Sequence, residues 1–158
     1  MPNWCSNVAR ISHENPQMIE RMVGAAESGI LTEFVPCPKE LLEGEGWYDW
    51  CVSNWGTKWD LSEVGIDRHD ANNLTLTFDS AWSPPIEAYV KLEEQGFVIE
   101  AYYYEPGMMF CGTYEDGCEN TIEIEEPTFE WAHDNLPKVL DEMFGISDEF
   151  AYYDSSDE

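Results

Sequence analysis

The sequence predicts an α+β sandwich in which helices cover one face of a mainly antiparallel sheet. Two passages along the chain have a strand–helix–strand pattern, and an antiparallel meander follows them. With 43% hydrophobic and 14% aromatic residues, the 158 residues can build the core of one domain. We expect this domain to cover residues 1–145, with an acidic, partly frayed tail at residues 146–158.

The first elements follow from local signals. Residues 4–12 predict a strand, and residues 30–35 predict a short edge strand bounded by prolines. Between them, Asn15 and Pro16 predict a helix start, because asparagine caps helices and proline suits the first helical position. A short helix is expected at Trp47–Trp55, where apolar residues recur on one side.

The middle of the chain predicts a strand pair and a second long helix. Residues 63–68 and 74–79 are expected to pair as strands. Asn72 and Asn73 are expected to form the turn between them, since asparagine tolerates positive φ. Ser83 precedes two prolines and is the expected N-cap of the following helix.

The remainder predicts the meander and a C-terminal helix. Three strands are expected at residues 97–104, 108–114 and 119–125. Asp116 and Gly117 have the composition of a hairpin turn between the last two strands. Residues 128–144 have a helical pattern, and Pro137 inside it predicts either a kink or two consecutive helices.

The absence of a recognisable targeting signal and the pattern of cysteines predict a cytoplasmic protein. No apolar run is long enough to cross a membrane, and residues 1–5 lack the features of a signal peptide. The five cysteines are an odd number, are widely spaced and include no CxxC pair. We therefore interpret them as reduced and mostly buried in the core.

The charge excludes several classes of partner. There are 33 acidic residues and seven lysines and arginines, giving a formal net charge of -26. Direct nucleic-acid binding is not expected, because it requires basic residues that replace counterions. The same argument disfavours anionic membrane surfaces. The high aromatic content also disfavours a disordered acidic chain.

Four short motifs carry a resemblance to a known family. They are Met-Pro-Asn-Trp-Cys-Ser-Asn at residues 1–7, Asn-Trp-Gly-Thr-Lys-Trp-Asp at 54–60, Ala-Trp-Ser-Pro-Pro at 81–85, and Tyr-Glu-Pro-Gly at 104–107 leading to Phe-Cys-Gly at 110–112. Together they resemble the YubB-type, or Api-like, ferredoxin-like domain of phages and plasmids. The resemblance implies a ferredoxin-like fold without an iron–sulfur cluster and a mobile-element origin. It supplies no catalytic residues.

The second motif is a candidate ligand loop. Gly56 frees its backbone, and its candidate residues are Asn54, Trp55, Lys58, Trp59 and Asp60. The structural alternative is that the loop ends a helix and that its polar groups satisfy nearby backbone. For six of the seven tryptophans, at positions 4, 47, 50, 55, 59 and 82, the alternatives are base stacking and core or rim packing.

The C-terminal part concentrates the acidic residues. Residues 115–158 contain 15 acidic residues and one base, Lys138. In residues 121–125 isoleucine alternates with glutamate, which predicts inward isoleucines and outward carboxylates. Same-face strand residues lie roughly 6–7 Å apart, about two phosphate steps of one DNA strand. The candidate partner-binding residues are Glu115, Asp116, Glu119, Glu123, Glu125, Glu126, Glu130 and Asp134.

These observations predict an inhibitor rather than an enzyme. We expect a phage or plasmid protein that imitates nucleic acid and occludes the basic groove of a host defence protein, either a CRISPR effector or a restriction nuclease. One alternative is a small non-catalytic ligand- or peptide-binding module that uses the loop at residues 54–60 and the nearby tryptophans. Another is acidity that serves solubility or salt tolerance. No catalytic, metal or cofactor motif is present, although carboxylates holding Mg²⁺ or Ca²⁺ form a third alternative.

Overall fold

A computed structural model describes residues 3–156, with side chains as far as Tyr152. Met1 and Pro2 of the first motif, and Asp157 and Glu158 of the predicted tail, lie outside the described residues. The described chain forms a six-stranded sheet in the order β2-β3-β1-β4-β5-β6, with every neighbouring pair antiparallel. The strands are β1 Trp4–Ser12, β2 Ser62–Asp70, β3 Asn73–Ala81, β4 Val98–Glu105, β5 Phe110–Glu115 and β6 Cys118–Glu123.

The described residues also form eight helices. They are α1 Pro16–Ala25, α2 Ile30–Phe34, α3 Lys39–Leu42, α4 Trp47–Trp55, α5 Ile86–Glu94, α6 Phe129–Asn135, α7 Lys138–Phe144 and α8 Ile146–Ser156. The predicted α+β class and the mainly antiparallel sheet are confirmed.

Strand β4 shows that helices cover both faces of the sheet. Ile99 and Ala101 pack in one core with α1, α2, α4 and α5, whereas Tyr102 and Tyr104 pack in a second core with α6, α7 and α8. Successive strand residues point to opposite faces, so the two cores lie on opposite sides of the sheet. The expectation of helices on one face is therefore wrong for α6–α8.

Two predicted elements have a different structure. Residues 30–35, predicted as an edge strand, contain helix α2, whose first backbone N–H groups donate to the carboxylate of Asp60. Residues 146–158, predicted as a partly frayed tail, contain helix α8. Ile146 and Phe150 of α8 are buried in the second core, which is why this acidic segment folds.

Several local predictions hold. Asn15 caps α1 by accepting the N–H of Gln17 at 3.0 Å. Asp116 and Gly117 both have positive φ, as a tight hairpin turn requires. The predicted helix at residues 128–144 is divided at Pro137 into α6 and α7.

Two turn predictions need correction. The β2–β3 turn is formed by Ala71 and Asn72, neither of which has positive φ, and Asn73 already belongs to β3. Ser83 does not cap α5: its hydroxyl donates to the carbonyl of Gly56 at 2.6 Å, and Pro85 is the N-cap residue.

Candidate partner-binding surfaces

The four sequence motifs meet at one end of the sheet. Trp4 at the start of β1 is opposite Ala81 at the end of β3, and Glu105 at the end of β4 is opposite Phe110 at the start of β5. The loop at residues 54–60 joins them through Thr57, whose hydroxyl donates to the carbonyl of Ala81 at 2.9 Å. Residues far apart in sequence therefore build one local structure.

A buried carboxylate organises this end. Glu105 is fully buried and accepts the backbone N–H groups of Gly107 and Met108, each at 2.6 Å, which holds the turn between β4 and β5. Cys5 is buried nearby, and burial together with the negative charge of Glu105 raises its pKa to about 12. The thiol is therefore protonated at neutral pH. The sequence interpretation did not single out Glu105, although its place in Tyr-Glu-Pro-Gly was a signal of a turn.

Three of the five candidate loop residues have structural contacts. The side-chain amide of Asn54 donates to the carbonyl of Trp50 at 2.9 Å. The indole N–H of Trp55 is buried and donates to the carbonyl of Val35 at 2.7 Å. The Asp60 carboxylate accepts four donors from residues 31, 32 and 61. These contacts agree with the structural alternative for the loop.

Lys58 and Trp59 instead belong to an exposed aromatic cluster, formed by Trp4, Tyr48, Lys58 and Trp59. The Lys58 ammonium lies 4.4 Å from the Trp59 ring centroid and 5.7 Å from that of Tyr48. The Trp4 and Trp59 ring centroids are 6.0 Å apart. Each of the three rings is 38–45% exposed, so the cluster offers aromatic surface beside one positive charge.

The acidic candidates lie on β5, β6, the turn between these strands, the segment after β6 and helix α6. We call this set of eight residues the acidic edge; its members are Glu115, Asp116, Glu119, Glu123, Glu125, Glu126, Glu130 and Asp134. All eight are exposed, and β6, which carries two of them, is the last strand of the sheet. Among the described residues, none of the eight has a lysine or arginine nitrogen within 4.0 Å, and Asp134 contacts His133 at 3.4 Å.

The acidic edge consists of groups on different sides of the sheet rather than one straight row. Glu119 and Glu123 pair with Tyr114 and Phe110, so they point to the face that carries α5. Glu126, Glu130 and Asp134 line a shallow groove along α6, which packs on the opposite face. The predicted alternation is confirmed in part, because Ile122 and Ile124 point into the second core.

A groove connects the acidic edge with the end of the sheet where the motifs meet. It has a volume of about 660 Å³. Its apolar lining is Trp82, Pro84, Met108, Met109, Phe110 and Ile124, and its polar lining includes Glu119, Thr121 and Glu123. Trp82 and Met109 have positive φ, which is uncommon for large side chains. The sequence interpretation did not identify this groove, because it depends on the pairing of β5 with β6.

The described residues contain neither a cluster that could hold a metal ion nor a helix that could cross a membrane. Nowhere in residues 3–156 do three histidine, cysteine or acidic side chains gather with a geometry that could hold a metal ion. Within the same residues, every helix is too short or too polar to cross a bilayer.

The fold is that of a ferredoxin-like α+β domain. The chain belongs to the family described as the ferredoxin-like domain in Api92-like protein, whose model matches residues 54–152. This confirms the Api-like part of the resemblance. The chain is also similar to the crystal structure of a protein api92 from Yersinia pseudotuberculosis, with 22% identity and a TM-score of 0.47. That match covers 61% of this chain and 39% of the other. No curated protein matches the chain.

Proposed function

We propose that this protein is a non-catalytic inhibitor of phage or plasmid type that imitates nucleic acid. It occludes the basic DNA- or RNA-binding groove of a host defence protein in the host cytoplasm, and CRISPR effectors and restriction nucleases are the candidate targets. The observation that carries this proposal is the acidic edge, whose eight exposed carboxylates have no lysine or arginine partner among the described residues.

The physical basis is that carboxylates of this protein replace nucleic-acid phosphates as the partners of basic side chains. Lysine and arginine side chains that hold phosphates also bind carboxylates, with charge-assisted hydrogen bonds. Glu123 lies four positions after Glu119 on the same strand face, which is roughly 13 Å at the usual rise of a strand. The groove on α6 continues the negative surface around the edge. A partner groove that wraps a nucleic acid can contact both sides of this edge.

The rival interpretation is that the acidity is passive. Exposed acidic residues also lie far from the acidic edge along the chain, for example Glu14, Glu27, Glu40 and Glu43. The two interpretations differ in one respect: partner binding depends on the positions of the carboxylates only if the acidic edge is functional. This difference sets the experiment.

The experiment is affinity capture from bacterial lysate at low salt, followed by elution with competing DNA. We expect wild-type protein to capture a basic nucleic-acid-binding protein that DNA releases. Changing Glu119, Glu123, Glu126 and Glu130 to lysine should abolish capture while circular dichroism shows an intact fold. If this variant captures the same protein normally, the acidic edge is not the binding surface. Capture of neutral metabolic proteins alone would contradict mimicry as a whole.

The second candidate function is a ligand- or peptide-binding module that uses the aromatic cluster. It is favoured by the Lys58 ammonium, which lies over Trp59 and has no carboxylate within 4.0 Å among the described residues. Changing Lys58 and Trp59 to alanine should then remove binding, whereas the four lysine substitutions in the acidic edge should not. Tryptophan fluorescence titrated with candidate ligands is the measurement.

A further inference from the structure

The outer side of β6 is an unpaired strand edge. The N–H of Ile124 donates to the carbonyl of Met109 at 2.8 Å, so the backbone of Ile124 faces β5. In an antiparallel pair this direction alternates, which turns the N–H and C=O groups of Glu119, Thr121 and Glu123 outward. Within the described residues, no loop backbone or side chain pairs with these outward groups.

The same three residues flank the groove described above. Their side chains line the groove together with Trp82, Met109 and Phe110, and Phe110 pairs with Glu123. Thr121 is the small residue between the two glutamates, and its hydroxyl lies 2.5 Å from that of Tyr103. Thr121 itself lines the groove, so the position between the two glutamates is not filled by a large side chain. A long apolar side chain on an added strand can reach over this position, since diagonal neighbours across strands lie about 7–8 Å apart.

The negative charges of Glu119 and Glu123 determine which kind of strand can pair with the free edge of β6. In a second copy of the chain paired through β6, Glu119 and Glu123 would lie opposite like charges, and such pairs are destabilising. An added strand with arginine or lysine opposite both glutamates forms favourable cross-strand pairs instead. The edge is therefore complementary to a basic segment and not to itself.

We propose that a basic segment of the partner protein adds to β6 as an extended strand. Its alternate residues are arginine or lysine, then an apolar residue, then arginine or lysine, placed opposite Glu119, Thr121 and Glu123. The apolar residue enters the groove between Trp82 and Met109. This inference rests on the proposed function, because it specifies how the basic partner of the acidic edge is held. Backbone hydrogen bonds supply affinity, and the side-chain pattern supplies specificity.

The probe is a labelled peptide, Thr-Arg-Thr-Phe-Thr-Arg-Thr, whose symmetric pattern suits either strand direction. Its control is the isomer Thr-Arg-Arg-Phe-Thr-Thr-Thr, which has the same charge but puts the arginines on opposite faces. We expect the isomer to bind at least about tenfold more weakly, because only one arginine can then pair on the groove side. Equal binding of the two peptides would show attraction by charge alone and would overturn strand addition.

Two variants of one residue test the backbone pairing. Thr121→Pro removes an outward N–H while the ladder to β5 keeps its donors, and Thr121→Val removes the hydroxyl but keeps the N–H. We expect about a tenfold or greater loss of peptide binding for Thr121→Pro and less than about a twofold change for Thr121→Val. Equal binding by both variants would overturn the inference.

Amide hydrogen exchange of the wild-type protein gives a test that does not depend on how the proline variant folds. Saturating peptide should slow exchange at the amides of Glu119, Thr121 and Glu123 by about tenfold or more, because each outward N–H gains a partner or becomes shielded. Unchanged exchange at all three would contradict strand addition.

The capture assay separates this inference from the proposed function. Thr121→Pro has the wild-type charge. If it still captures the DNA-releasable protein while the four-lysine variant does not, strand addition is wrong and nucleic-acid mimicry stands. If the four-lysine variant captures normally, the proposed function is wrong whatever the peptide results.

Discussion

At the scale of single residues, Asp60 shows how a candidate ligand residue has a structural role. One carboxylate oxygen accepts the N–H groups of Leu31 and Leu61 at 3.0 and 2.8 Å. The other accepts the N–H and hydroxyl of Thr32 at 2.9 and 2.7 Å. Gly29 has a φ of 125°, and a Cβ there would lie 2.6 Å from the same carboxylate. The residue therefore ties the start of α2 to the strand that follows the loop.

Replacing Asp60 by alanine should lower the free energy of unfolding by about 1–2 kcal/mol, because α2 loses the acceptor for its first N–H groups. Urea denaturation followed by circular dichroism measures the change. The matched control is Asp67→Ala on the exposed side of β2, expected to change stability by less than about 0.5 kcal/mol. Equal losses in the two variants would contradict the capping role.

At the scale of elements, the second core makes α8 part of the domain. Ile146 is fully buried, and Phe150 lies four residues later on the same helix face. Both pack with Leu140 of α7 and with Tyr102 and Tyr104 of β4. Three helices and the strands β4, β5 and β6 thus contribute side chains to one apolar cluster on the face away from α5.

Changing Ile146 to alanine should therefore lower the free energy of unfolding by about 2–5 kcal/mol, the usual cost of removing a buried aliphatic side chain. Val139→Ala on α7 is the control, since Val139 is 41% exposed and should lose less than about 1 kcal/mol. Thermal or urea unfolding measures both variants. A loss at position 146 no larger than that at position 139 would mean that α8 does not belong to the cooperative core.

Local signals explain which elements were predictable. Asn15 with Pro16, and Asp116 with Gly117, determine backbone conformation through their own chemistry, and both predictions hold. Residues 30–35 are a short, mostly apolar segment that fits a strand or a helix, and hydrogen bonds to distant Asp60 favour the helix. The apolar run at residues 101–104 was a usable signal of two covered faces, since strands buried on both sides lose polar alternation.

The candidate surfaces were predictable to a smaller extent. The exposure of the acidic residues follows from their charge, because carboxylates are rarely buried. Their division between two faces does not, since it depends on the register of β6 against β5 and on where α6 packs. For the loop, composition identified Asn54 and Asp60 as possible ligands equally with Lys58, and only tertiary contacts distinguish them.

At the scale of the whole molecule, negative charge dominates. The formal net charge is -26, and four of the seven basic residues form ion pairs with glutamates. Self-repulsion of this size destabilises a compact state, and salt screens it. Two extensive buried cores nevertheless supply apolar stabilisation that does not depend on the screening of charge.

We therefore expect cooperative thermal unfolding even at about 10 mM salt, with a midpoint that rises as sodium chloride screens repulsion. For a chain of this length, each kcal/mol of screened repulsion should raise the midpoint by about 2–4 °C. Differential scanning calorimetry over a salt series measures this. The absence of a cooperative transition at low salt would instead support acidity as an adaptation to a salt-rich cytoplasm.

The most direct measurement uses the captured partner, once purified, with fluorescently labelled DNA in an anisotropy assay. Its competitors are wild-type protein, the variant with Glu119, Glu123, Glu126 and Glu130 changed to lysine, and a charge-matched variant with Glu14, Glu27, Glu40 and Glu43 changed to lysine. The two variants have the same net charge. We predict that wild-type protein and the charge-matched variant displace the DNA and that the acidic-edge variant does not, because displacement depends on the position of the carboxylates. Equal displacement by the two variants would contradict the assignment of nucleic-acid mimicry to this surface.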